Sequence, residues 1–308
     1  MKSSAVALLL LLSSPCTASS VNAPQISKIE TKFQAFDSAI TSALNKTDPV
    51  KSREIERSYK SLFGNEQGRP TAAWSSSDLK LGFRAASQVA FYSLDDRYLE
   101  DMARYLTLLE ANKQASTAEY GAMYGALVQA RRLDLAKTMY LEHGNAEMEP
   151  LPHQDERPSS ENKAREWSVD SEGSLTLHSH QPKAAEIIIV SHPSCGFTRR
   201  AVQDLDAAFG KSSPFFLSTH WLTPQDRRFQ VDSLRKWNGQ HSNARMFIVY
   251  KQREWSQFDS WDTPTFYFLK NGKLKQKIVG WPNKEQVGKI MKAARKIGLT
   301  DKIYKISH

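Results

Sequence analysis

The passage that most restricts this chain runs from Ile187-Ile188-Ile189-Val190 into Ser191-His192-Pro193-Ser194-Cys195-Gly196-Phe197-Thr198-Arg199-Arg200. Consecutive β-branched residues read as a strand buried on both faces, the kind found in parallel sheets. The run breaks at Pro193. Ala201, Val202, Leu205, Ala208 and Phe209 then recur at helical spacing. Strand, short loop and helix in that order place Cys195 on the first turn of the helix, where unpaired backbone N–H groups and the helix dipole favour a thiolate. Further on, Asp262-Thr263-Pro264-Thr265-Phe266-Tyr267-Phe268-Leu269-Lys270-Asn271-Gly272-Lys273 reads as a Pro-led strand ending in a tight Asn-Gly turn.

Together these segments resemble the thioredoxin superfamily. Cys195-Gly196-Phe197-Thr198-Arg199 is similar to the family's active-site turn, Cys-Gly-x-Cys followed by a basic residue. Thr263-Pro264 is similar to the cis-proline that faces that turn. Phe268 to Lys273, followed by Val279-Gly280, resembles the family's last hairpin. The resemblance covers residues 167–298, and its Cys-Gly-aromatic tripeptide and Thr-Pro pair look more like the periplasmic disulfide isomerase branch than thioredoxin itself. Two positions depart from the pattern. Thr198 stands where the second cysteine would be, and Ile189 stands where thioredoxin keeps a buried acid.

A dithiol cycle therefore cannot run within this chain. The resemblance implies monothiol chemistry instead, with Cys195 as the nucleophile that forms a mixed disulfide. The Thr198 hydroxyl would help hold the thiolate, and the Gly196 and Phe197 amides would add to the same anion site. Thr263 and Pro264 would present backbone to an extended peptide. His192, if protonated, would lower the Cys195 pKa.

The N-terminus reads as a secretory signal over residues 1–20: Lys2 gives the positive start, Val6 to Leu12 the apolar core, and Ala18, Ser19 and Ser20 the small residues before cleavage. The apolar core is too short to span a bilayer, so no transmembrane segment is expected. Pro15 precedes Cys16 where bacterial lipoprotein signals place a small residue, which argues against lipidation. The expected location is periplasmic or secreted. Removal of the signal leaves Cys195 as the sole cysteine of a chain with Cys 2 in total. An internal disulfide is then excluded, and a Cys195-linked homodimer is expected.

Charge is uneven. The net charge is +9, and the stretch from Lys270 to His308 carries all of that surplus, with only Glu285 and Asp301 opposing its lysines and arginines. A solvated basic face explains this more simply than an anionic partner, and export argues against nucleic acid.

Residues 24–143 show helical spacing, with a turn-rich break at Asn65 to Thr71, and no strand signal. Stripes fall at Ile26, Ile29, Phe33, Phe36, Ile40 and Leu44, then at Ile55, Tyr59 and Leu62, then at Leu79, Phe83, Ala86 and Val89. Others fall at Leu99, Met102, Leu106 and Leu109, at Tyr120, Met123 and Leu127, and at Leu133, Ala136 and Tyr140. This is an all-α domain, packed as a bundle or short solenoid of hairpins. Residues 144–166 are polar and Pro-containing and read as a linker. Residues 167–300 form the thioredoxin-like α/β domain, and 301–308 a basic tail, so the fold class is α+β. Within the second domain, Trp167, Val169, Leu175 and Leu177 flank a turn at Asp170–Gly173. Phe215-Phe216-Leu217 reads as the start of a strand, and Thr223-Pro224-Gln225-Asp226 as a helix start that opens a helical insertion. Residues 243–258 read as helix in preference to strand.

His178 and His180 share one face of an expected strand. Without a further ligand at fixed spacing, no metal is expected, and no cofactor motif is present. Trp255, Trp261 and Trp281 flank the proline region, either as walls of a peptide groove or as core. Two functional readings follow. The first is an exported monothiol thiol–disulfide exchange protein or isomerase acting on cysteine-containing protein or peptide substrates, with an external thiol as reductant. The second is a non-catalytic adaptor whose helical domain docks a protein partner.

Overall fold

The computed structural model describes residues 26–64, 74–155 and 163–299. The expected signal (1–20) and basic tail (301–308) lie outside these. Six helices come first: α1 (Lys28–Ala43), α2 (Asp48–Phe63), α3 (Ser76–Ser93), α4 (Arg97–Ala111), α5 (Thr117–Gln129) and α6 (Leu133–His143). Their starts follow side-chain chemistry. The Ser27 hydroxyl accepts the Glu30 N–H at 2.9 Å, the Ser75 hydroxyl accepts the Asp78 N–H at 3.1 Å, Pro49 sits in the first turn of α2, and Ser116 and Glu119 form a capping box. The apolar stripes converge on α3, which packs against α1, α2, α4 and α5. Gly82 permits the closest of these approaches, since a Cβ there would lie 2.6 Å from the Tyr105 ring. None of the described helices is long and apolar enough to cross a membrane.

The rest of the chain builds an eight-stranded sheet from β1 (Gln154–Asp155), β2 (Arg165–Val169), β3 (Leu175–Ser179), β4 (Ala185–Val190), β5 (Thr219–Thr223), β6 (Met246–Val249), β7 (Thr265–Lys270) and β8 (Lys273–Val279). Helices α7 (Gly196–Phe209), α8 (Pro214–Leu217), α9 (Val231–Gln240) and α10 (Gln286–Lys296) connect and cover it. The strand order is β1-β3-β2-β6-β5-β4-β7-β8. Strands β4, β5 and β6 are parallel, and β7 and β8 run antiparallel at one side. The unit β4–α7–β5, the β7–β8 hairpin and α10 together make a thioredoxin-like core, so the chain is α+β with a helical domain in front. Asn271 and Gly272 take φ of 49° and 71° in the β7–β8 turn, the left-handed pair that a two-residue hairpin requires.

Three expectations need correction. Residues 246–249 form strand β6, bounded by short 3-10 turns at Ser242–Ala244 and Gln252–Glu254. Its backbone pairs with β5 on one side and β2 on the other, and that two-sided pairing overrides the helical reading. Phe215 to Leu217 belong to α8, which Ser213 and Pro214 start, and the strand begins at Thr219. The helix expected from Thr223-Pro224 begins only at Val231, after Gln230 in the left-handed region (φ 52°). The intervening residues spend their polar groups on the helical domain: the Gln225 amide donates to the Gln129 carbonyl, and Arg227 donates to the Ser87 carbonyl at 2.7 Å. The segment read as a linker also docks. The Glu149 carboxylate accepts the Gln230 and Val231 N–H groups at the start of α9, each at 3.0 Å, and Gln154 and Asp155 add a parallel strand beside β3.

Arg131, just after α5, joins the two halves. Its guanidinium is buried and donates to the carbonyls of Val249 (2.8 Å), Tyr250 (2.8 Å) and Val128 (3.1 Å), while lying over the rings of Trp167 and Phe229. Burial pushes its pKa down to about 9, which still leaves it charged at neutral pH. Arg131→Met is expected to lower unfolding stability by about 3 kcal/mol or more, because it strands buried carbonyls without donors. Lys46→Ala, which removes an exposed pair with Glu54, is expected to cost less than about 1 kcal/mol. Urea denaturation of the two variants checks the contrast.

Candidate functional site

Cys195 is the N-cap residue of α7, with extended backbone (φ −76°, ψ 118°). Its position is set by the break in the chain before it. Strand β4 ends at Val190, and Pro193 closes a turn in which the Cys195 N–H donates to the His192 carbonyl at 3.0 Å. The Thr263–Pro264 peptide bond is cis. Pro264 is buried directly before β7, and its carbonyl accepts the Gly280 N–H at 2.7 Å. Because β4 and β7 are antiparallel neighbours, with Val190 opposite Thr265, the loop that follows one strand meets the loop that precedes the other. The Cys195 Sγ and the Thr263 carbonyl oxygen are 3.3 Å apart.

Around the thiol the expected residues assemble. Thr198 is fully buried one turn into α7, and its hydroxyl has no hydrogen-bond partner among the described residues. Phe197 is exposed, under the Arg200 guanidinium at 4.6 Å. Gly196 opens the helix, and a Cβ there would meet only Arg199 at 3.7 Å, so glycine is not sterically required. The Thr263 N–H has no hydrogen-bond partner among the described residues, and so is free to pair with a peptide.

Burial raises the Cys195 pKa, but hydrogen bonds outweigh it. Those from Thr263, from the Thr198 backbone and hydroxyl and from the Phe197 backbone leave the thiol below its ordinary value. While protonated, the thiol donates to the Thr263 carbonyl, a contact that favours the neutral form. The lowering therefore rests on the N–H and hydroxyl donors. At Thr198 the hydroxyl contact falls short of full hydrogen-bond geometry, so this donor is one that an ionised sulfur would recruit.

His192 belongs to the same turn. Burial pushes its pKa below the usual value, against the opposing pull of Asp226, and its Nδ1 accepts the Ser194 N–H at 3.2 Å. Used as an acceptor, Nδ1 carries no proton in this arrangement.

A groove of about 930 Å³ lies between the two halves. Tyr92 and Asp48 wall it from the helical domain, and Trp255, Trp261, His192 and Thr263 from the other side. Cys195 itself does not line it. The groove instead ends at the two residues that contact the Cys195 turn. Asp48 fixes one rim: its carboxylate accepts the Trp261 N–H at 2.6 Å, and its own N–H donates to the Asp259 carbonyl at 3.0 Å. Of the three tryptophans, Trp261 is partly exposed on this wall. Trp255 and Trp281 are buried, and the Trp281 indole donates to Asp204 on α7 at 2.8 Å.

His178 and His180 are separated in the structure. His178 shares a 2.8 Å hydrogen bond with Ser168, whereas His180 turns into the sheet beside Glu166, Glu186 and His220.

No family model matches this chain, and no curated protein matches it. Among solved structures it is similar to a thioredoxin-like protein from Bacteroides caccae ATCC 43185, at 12% identity and a TM-score of 0.29, over 92% of this chain and 99% of that one. The thioredoxin-like assignment rests on the strand order and on the meeting of Cys195 with the Thr263–Pro264 loop.

The lowered thiol pKa has a thermodynamic signature. An acid whose folded-state pKa is depressed adds stability that is fully present above the unfolded value, about 8.5 for a thiol, and is lost as pH falls through the folded value. The stability of the reduced protein minus that of Cys195→Ala is therefore expected to rise with pH across the window below about 8.5. Thr198→Val is expected to narrow that window. Unfolding titrations in reductant across neutral to alkaline pH check both.

Proposed function

We propose that this chain is an exported monothiol thiol–disulfide exchange protein, acting in an oxidising compartment on cysteine-containing protein or peptide substrates. The observation that carries this reading is the Cys195 thiol on the first turn of α7, with a lowered pKa, 3.3 Å from the Thr263 carbonyl. The Cys195 thiolate attacks one sulfur of a substrate disulfide. A Cys195–substrate mixed disulfide forms, and the other substrate sulfur leaves as thiolate. With Thr198 in place of a second cysteine, nothing in this chain resolves that intermediate. Release comes when a substrate thiolate attacks the substrate sulfur of the mixed disulfide. The result is rearrangement with no net oxidation or reduction, and Cys195 is regenerated. An external thiol resolves it alternatively, and the substrate disulfide is then reduced at that thiol's expense.

Thr198 and the amides at the start of α7 hold the leaving and attacking forms of Cys195. Thr263 pairs with the substrate backbone through its free N–H. The periplasmic or secreted location follows from the N-terminal signal pattern. There, the single thiol rests as a mixed disulfide or a Cys195-linked homodimer until reduced.

A second reading, a peptide-binding adaptor, is favoured by the interdomain groove, which reaches Thr263 and His192 without including Cys195. The two readings part at Cys195. Incubated with a scrambled disulfide protein and catalytic thiol, the wild type is expected to speed recovery of native pairing at least tenfold over Cys195→Ser. It should also yield a covalent adduct that dithiothreitol dissolves. Equal rates for the two, with retained peptide affinity in Cys195→Ser, would leave the adaptor.

A further inference from the structure

Away from the thiol, the second face of the sheet is apolar along β4, β5 and β6 except at one spot. Ile188 and Val190 on β4, Leu222 on β5 and Val249 on β6 form a buried cluster under Trp255, Phe258 and Tyr267. On that same face, Glu186, His220 and Glu166 occupy the positions where period-two alternation calls for apolar side chains. His180, at the end of β3, joins them. Glu166, His180 and Glu186 are each more than nine-tenths buried.

The geometry is directional. His180 Nε2 lies 3.0 Å and 3.2 Å from the two Glu186 oxygens. Its Nδ1 faces a Glu166 oxygen at 3.9 Å, and the same oxygen lies 2.7 Å from His220 Nε2. One donor atom from each of Glu166, His180 and His220 falls within 4.8 Å of the others. With Nε2 turned to Glu186, His180 turns Nδ1 toward the Glu166 carboxylate, and a cation held between them would bind both. No lysine or arginine among the described residues pairs with either glutamate. Arg165, beside Glu166, is taken by Glu254 at 2.5 Å. The two buried carboxylates have imidazoles as their basic partners, and a bound cation would offset more of their desolvation.

We propose that Glu166, His180 and His220 form a divalent transition-metal site, with Glu186 as the outer carboxylate that orients His180. Two imidazoles and one carboxylate suit zinc or cobalt. Bond lengths of about 2.0–2.2 Å put donors about 3.3–3.6 Å apart in a tetrahedron, so side-chain shifts below an ångström convert the observed spacings. His180 with Glu186 reproduces the carboxylate–histidine–metal relay that fixes a ligand's tautomer. His220, partly exposed, gives the entry path. The ligands come from β2, from the end of β3 and from β5, so the ion would clamp the β2–β3 hairpin to the thioredoxin-like core. The site shares no residue with the Cys195 turn.

The test is a cobalt(II) and zinc titration of the untagged protein carrying Cys195→Ser, which removes thiolate ligation. The expected result is one equivalent bound, cobalt absorption of four-coordinate intensity, and a thermal midpoint that rises with free metal. Binding should be lost in His220→Ala and weakened 10–100-fold in Glu186→Gln, which preserves the packing. Absence of stoichiometric binding at micromolar metal, or binding unchanged in His220→Ala, would overturn the site and leave a histidine–glutamate network that shares protons only.

Discussion

The structure depends first on a buried guanidinium. Arg131 carries positive charge from the helical domain to the carbonyls at the end of β6, where it lies over Trp167 and Phe229. A charge so placed is tolerable only while its acceptors stay in position, because its desolvation must be offset by hydrogen bonds of good geometry. That requirement ties the end of α5 to the central strands and fixes how the helices stand over the sheet. The Gln129–Gln225, Ser87–Arg227 and Asp48–Trp261 contacts then follow at fixed places along the same boundary. The groove is a consequence of this docking, and it opens beside Thr263 because Asp48 holds the loop that leads to Pro264.

The chemistry of Cys195 follows from opposed local effects. Half-burial works against a thiolate, while the start of α7 and the neighbouring hydroxyls work for it, and the second set prevails. The departures from the thioredoxin pattern change what that thiolate can do. With Thr198 in place of a resolving thiol, the turn cannot close an intramolecular disulfide, and the exchange reading proposed above calls for an external thiol. Ile189 is fully buried, so that position supplies no carboxylate beneath the turn. In the proposed reading, both changes favour exchange over redox cycling.

Much of this was legible in the residues. The helical stripes of the first domain, the Asp170–Gly173 hairpin, the Asn271-Gly272 turn and the strand–Cys–helix passage rest on local rules of period and capping that tertiary contacts reinforce. The failures share one cause. Met246 to Val249 became a strand because β5 and β2 offered partners on both sides, and Thr223-Pro224 did not start a helix because Gln225 and Arg227 are spent on the other domain. Neither partner is visible within a local window. The Glu166, His180, Glu186 and His220 cluster was missed for a similar reason. The sequence singles out His180 beside His178, but the remaining signal, charged residues at inward positions of core strands, becomes clear only when the strands are laid side by side.

The central claim is that the fold activates Cys195. Its most direct test is the rate of Cys195 alkylation as a function of pH in the folded, reduced protein, compared with the same chain in denaturant and with Cys195→Ser as the blank. The account predicts a midpoint below the value of about 8.5 found for an unperturbed thiol, returning to that value on unfolding. A midpoint at or above it in the folded protein, or a thiol that reacts only once unfolded, would contradict the account.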